Sequence, residues 1–128
     1  MTLKANSQSN EGHDEALIDE FLRDASLQGL TEETRETYKS NLQNTFEFLE
    51  VDPYSIDRHD LKDLLIYLKN ERPGRDGTKG VSQSTINNYF SALNSYFKFL
   101  KFEGYIQRNP VPAFRERYLD AGRGGNWN

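Results

Sequence analysis

The stretch STINNYFSALNSYFKFLKFEGYIQRNP, residues 84–110, decides how this chain folds. Ile86, Tyr89, Phe90, Leu93, Phe97 and Leu100 recur at three- and four-residue spacing, which places them on one face of a helix. Ser82 stands ahead of the run as an N-cap, its hydroxyl able to accept from a free N–H of the first turn. Gly104 fits the left-handed position past the helix end, where a Cβ would be strained. Asn109-Pro110 and Pro112 then form an extended exit. The opposite face carries Ser84, Asn87, Asn88, Ser91, Asn94 and Lys98. The aromatic run Phe97, Phe99, Phe102 and Tyr105 reads as core, with Phe99 or Phe102 half exposed.

Three further helices precede this one. Leu17, Ile18, Phe21, Leu22 and Ala25 mark an apolar face in a helix starting at Asp14 and stopping near Gly29. Thr31 caps a second helix, with Glu32 and Glu33 at its positive dipole end. Tyr38, Leu42, Thr45, Phe46 and Leu49 form its inward face, and it ends near Glu50. Asp57 caps a third helix, whose apolar face is Leu61, Leu64, Leu65 and Leu68. Residues 72–80 hold one Pro and three Gly and read as a loop. A short amphipathic piece, Ala113 to Leu119, follows the fourth helix. No window alternates as a strand does. The expected fold is all-α: a compact four-helix bundle over 14–112, with a disordered tail over 1–13 and a linker or flexible tail over 113–128.

Composition narrows the function. The chain has 128 residues, enough for one domain, and its 35% apolar content is supported by 7 Tyr and 8 Phe. Without Cys, and with His13 and His59 far apart, a zinc site or thiol nucleophile is not expected. There is no Gly-rich phosphate loop and no catalytic triad, so no cofactor and no small-molecule substrate are expected. No run approaches the roughly 18 apolar residues of a membrane span, so a cytoplasmic protein without a membrane partner is expected. The charge is unevenly divided. Residues 1–71 carry 7 Lys/Arg against 16 Asp/Glu, a net −9; residues 72–128 carry 9 against 4, a net +5. Such asymmetry accompanies nucleic-acid contact, and equally arises from ordinary solvated faces.

Two polar rows are candidates for that contact. On the second helix Arg35, Lys39 and Gln43 lie four residues apart, with Ser40 beside them. On the fourth helix Asn87 and Asn88 are residue types that donate and accept together, as adenine requires. Ser82, Gln83 and Ser84 surround its start, where free N–H groups favour a phosphate. Arg75 and Lys79 in the preceding loop add charge. Against contact by the second helix stand Glu32, Glu36 and Glu47.

The order of these motifs resembles the core-binding domain of tyrosine recombinases, the phage-integrase and Xer-type family. Thr34, Tyr38, Leu42 and the Phe46-Glu47-Phe48-Leu49 end carry the resemblance in the second helix. Thr85-Ile86-Asn87, Ser91-Ala92-Leu93, Tyr96-Phe97, Phe99-Leu100, Glu103-Gly104, Ile106 and Asn109-Pro110 carry it in the fourth. The resemblance covers about residues 14–112 and implies a SAM-like bundle whose second and fourth helices face the major groove of double-stranded DNA. Its implied contacts are Arg35, Lys39, Ser40 and Gln43, then Lys79, Ser82, Gln83, Ser84, Asn87, Asn88 and Ser91. It also implies a role in DNA integration or recombination and other recombinase protomers as partners. Asn88 and Asn94 stand where many relatives carry Arg. The alternative is a helical interaction module that pairs with or inhibits full-length recombinases. The family's catalytic arginines, histidine motif and nucleophilic tyrosine would lie beyond Asn109-Pro110, so the chain is not expected to be an enzyme. Incubation with a suicide DNA substrate should therefore leave no covalent protein–DNA adduct on a denaturing gel; an adduct would refute this.

Overall fold

The computed structural model describes residues 3–74 and 77–120. Five α-helices follow one another: α1 (Leu3–Leu27), α2 (Glu32–Leu49), α3 (Arg58–Asn70), α4 (Gln83–Phe102) and the short α5 (Val111–Arg115), which runs into a π-type turn over Glu116–Asp120. A 3₁₀ turn, Pro53–Ser55, leads from α2 to α3. The expected all-α bundle is present. Among the described residues no helix is long and apolar enough to cross a membrane.

Capping explains the helix starts. Thr31 accepts from the Thr34 amide at 3.2 Å, and Ser82 from the Thr85 amide at 3.2 Å. Asp57 and Asp60 form a reciprocal capping box, each carboxylate taking a backbone N–H of the other residue. These interactions lie within one turn, so they are readable from the residues alone. The start of α1 differs: its backbone helix begins at Leu3, ahead of Asp14, although the apolar period begins only at Leu17. Backbone hydrogen bonding within a helix is local and continues through turns that have no apolar stripe.

α4 is the axis of the bundle and packs against α1, α2, α3 and α5. It buries Ile86, Tyr89, Phe90, Leu93, Phe97 and Leu100 as expected, and also Ala92, Tyr96 and Phe99. Its buried arc is wider than one stripe because helices cover it on several sides. Tyr96 is fully buried and meets Phe21 of α1 edge-on at 5.3 Å and Phe46 of α2 at 5.8 Å. Each such aromatic pair contributes about 0.5–1.5 kcal/mol beyond the area it buries.

The aromatic run departs from expectation at Phe102 and Tyr105. Phe102 is 84% exposed and Tyr105 is 40% exposed, so neither belongs to the core. Phe102 lies nine residues after Leu93, about 180° around the helix, and the chain turns at Gly104 before Tyr105 can face inward. The packed unit also extends past Pro112. Phe114 stacks on Phe90 at 5.3 Å, and Val111, Phe114 and Leu119 are buried. The amphipathic piece over 113–119 thus packs on the core. Residues 121–128, which include the rest of the expected tail, lie outside the described residues, as does Arg75.

The loop between α3 and α4 is a tight hairpin. Pro73 and Lys79 form an antiparallel bridge, the Gly74 amide donates to Thr78 at 2.7 Å, and the Gly80 amide donates to Arg72 at 2.6 Å. Gly80 has φ +91°, and a Cβ there would lie 2.0 Å from the Lys69 carbonyl oxygen. Gly104 has φ +88° but open space around it. Gly104→Ala should therefore cost only the left-handed strain, about 1–2 kcal/mol. Gly80→Ala adds a backbone collision and should cost more than about 3 kcal/mol. Urea unfolding midpoints of the two variants check this; equal losses would show that Gly80 is not held as described.

Candidate nucleic-acid interface

The hairpin sets the entry to α4. The Val81 amide donates to the Leu68 carbonyl at 2.8 Å, which fastens the start of α4 to the end of α3. Lys79 is left exposed on the hairpin, immediately ahead of Ser82. Ser82 is used structurally, as the N-cap. Gln83 donates from Nε2 to Asn87 Oδ1 at 3.1 Å, one turn further along. Ser84 and Asn88 are exposed, while Asn87 and Ser91 are half-buried at the margin of the same face.

The electrostatics of this face are one-sided. No Asp or Glu occurs from Gly77 to Phe102, whereas Lys79, Lys98 and Lys101 do. The first turn of α4 has no acidic residue, while α2 has Glu32 and Glu33 there and α3 has Asp60. The positive end of the α4 dipole is therefore not offset by a local carboxylate, and it favours an anion.

The candidate row on α2 is placed differently. Arg35 Nε donates to the Leu30 carbonyl at 3.2 Å, and Gln43 Nε2 donates to the Glu15 carboxylate of α1 at 3.1 Å. Lys39, between them, is half-buried. This row borders α1 and its acidic side chains. The flank that meets α4 is one position further round the helix, where Asn44 Nδ2 donates to the Tyr89 hydroxyl at 3.0 Å. Ser40, four residues before Asn44, shares that flank and is exposed. The fold thus brings Ser40 toward the α4 side and leaves Arg35, Lys39 and Gln43 on the other.

From the sequence, Tyr89 reads only as a core position, and Asn44 and Arg72 have no part in this face. The Arg72 guanidinium lies 5.9 Å from the centroid of the Tyr89 ring, so a cation from the hairpin stands over the α2–α4 junction. The four-residue step from Ser40 to Asn44 was the available signal. Asn94 also has a role that its polar row did not suggest. Its Oδ1 accepts from Asn109 Nδ2 at 2.9 Å, and Asn109 Oδ1 accepts from the Val111 amide at 3.0 Å, which latches the Asn-Pro exit onto α4.

The phage-integrase N-terminal SAM-like domain family matches residues 17–104, from the first packed turn of α1 to the glycine that ends α4. The chain belongs to this family. A tyrosine recombinase XerC from Thermodesulfovibrio yellowstonii is 30% identical over 95 residues, covering 73% of this chain and 29% of the relative. A tyrosine recombinase from Thermosipho africanus is 28% identical over 85 residues, covering 66% of this chain and 29% of the relative. The chain thus spans less than a third of the length of these relatives. No solved structure gives a significant match to the domain.

In this integrase SAM-like domain, the Asn44–Tyr89 bond should couple α2 to α4. A double-mutant cycle of Asn44→Ala and Tyr89→Phe, read by urea unfolding, should give a coupling of about 0.5–1.5 kcal/mol. Additive losses would mean that the bond does not join the helices.

Proposed function

We propose that this domain binds double-stranded DNA through the N-terminal half of α4, and so serves DNA recombination or integration within the cytoplasm. One observation carries the reading: the exposed face of α4 begins at a helix start with no acidic residue, follows a lysine, and continues for 20 residues without a carboxylate. In the proposed complex Lys79 and the first-turn amides sit on backbone phosphates, which position the domain. Ser84, Asn87, Asn88 and Ser91 face base edges in the major groove, with the Gln83–Asn87 pair holding one amide in a set orientation. Ser40 and Asn44 extend the surface onto α2. Arg35, Lys39 and Gln43 lie at its far flank and add phosphate contacts where Glu15 allows. The relatives named as recombinases support DNA as the ligand and other recombinase protomers as partners. The proposal assigns this domain gripping of DNA, not strand cleavage.

Binding is tested by fluorescence anisotropy with a labelled duplex across a salt series. Affinity should fall linearly on log scales as counterions are released. Lys79→Gln should weaken all sequences alike and reduce the salt slope by about 0.9. Asn88→Ala should leave the slope unchanged and relax the preference at an A·T position by about 1–3 kcal/mol. If neither variant changes binding, α4 is not the DNA-binding face.

A further inference from the structure

A second cationic surface is lined by no residue of α2 or α4. The first turn of α3 and the segment around α5 enclose an open cleft of about 880 Å³, lined by Arg58, Lys62, Arg108 and Arg117 and by a single carboxylate, Asp57. That carboxylate is engaged. Its Oδ1 accepts from the amides of His59 at 2.9 Å and Asp60 at 3.1 Å. The bond from Asp60 is the main cause holding the Asp57 carboxyl below its usual range. Asp60 is likewise turned to the Asp57 amide, at 3.0 Å. Glu116 lines the neighbouring recess and not this cleft.

The four cations have no carboxylate ion pair among the described residues. Two of them converge on one phenol. The Arg117 guanidinium lies 5.5 Å and the Lys62 ammonium 5.9 Å from the centroid of the Tyr118 ring. Hydrogen bonding from Arg117, with that of Lys62 and the charge of both, draws the Tyr118 hydroxyl below its ordinary pKa despite some desolvation. Cations from two elements thus stand beside one phenol.

We infer that this cleft is a second DNA contact, in which Arg58, Lys62, Arg108 and Arg117 hold phosphodiester groups of the backbone. An open groove with cations on two walls suits an extended polyanion better than one small ion. The cleft is fixed relative to α4 by the Phe90–Phe114 stack at 5.3 Å and the Asn94–Asn109 bond at 2.9 Å, so both contacts move as one body. It shares no residue with the α4 face, and its Arg108 to Tyr118 wall lies beyond the segment that the family match covers. From the α4 reading it takes only that DNA is the ligand. Phosphate contacts carry no sequence information, so this cleft adds affinity without specificity.

The test is an NMR titration of the full chain with a short duplex, paired with anisotropy of Arg58→Gln/Arg117→Gln across the same salt series. Both arginines are exposed, so the fold should survive; Lys62→Gln/Arg108→Gln replaces the pair if the NMR fingerprint is lost. The expected result is shifts at residues 58–62 and 108–118 as well as 82–91. The variant should lose roughly 2 from the salt slope, with unchanged preference among sequences. Shifts confined to 82–91, with an unchanged slope, would overturn the cleft and leave the α4 reading standing. Shifts confined to the cleft would keep this inference and overturn that reading, and no shifts would overturn both. If inorganic phosphate at equal phosphate concentration reproduces the cleft shifts, the site takes a small anion, and the assignment to DNA backbone fails.

Discussion

The structure depends on the burial of Tyr96 at the centre of α4. Its ring meets Phe21 and Phe46, and so joins α1 and α2 to α4. Phe90 does the same for α5 through Phe114. A bundle this small has few core positions, and large aromatic side chains supply much of the apolar area that each position can remove from water. The consequence is a single rigid axis with other helices laid against it. Its outward polar face is therefore held in place by packing on its inward one.

Charge is arranged around that axis. The acidic surplus of the first half falls on α1, α2 and the segments that flank α3, and α4 is free of carboxylates over its whole length. A protein with a net charge of −4 can thus present a locally favourable face to an anion, because exposed charges act over about a Debye length, near 8–10 Å, and not over the whole molecule. The same reasoning weakens the α2 row. Gln43 is hydrogen-bonded to Glu15, so the acidic side of α1 lies next to the residues expected to approach phosphate.

The hairpin between α3 and α4 connects backbone geometry to that face. Gly80 admits the chain where its backbone passes against the carbonyl of Lys69. The turn then delivers Val81 to Leu68 and Ser82 to the cap position. Lys79 and Arg72 are carried by the same few residues, one near the helix start and the other over Tyr89. Local strain, tolerated only by glycine, thus determines where two cations stand.

The sequence by itself determined the helices, their caps and their inward faces. Thr31, Asp57 and Ser82 are caps in the structure as read, and the apolar rows of α3 and α4 are buried, as are Leu42, Thr45 and Phe46 of α2. These features depend on backbone groups within one turn and on a period of 3.6 residues, both present in the chain before it folds. The charge division and the carboxylate-free α4 were equally legible. Only the tertiary structure decided which polar rows meet. One residue of rotation, about 100°, separates Gln43 facing α1 from Asn44 facing α4, and nothing local to α2 sets how it is rolled against its neighbours. The burial of Phe114 and Leu119 likewise required α4 to be in place, and the cleft joins Arg58 and Lys62 to Arg108 and Arg117 across a long separation in sequence. Contacts of that kind are set by the packing of the whole core.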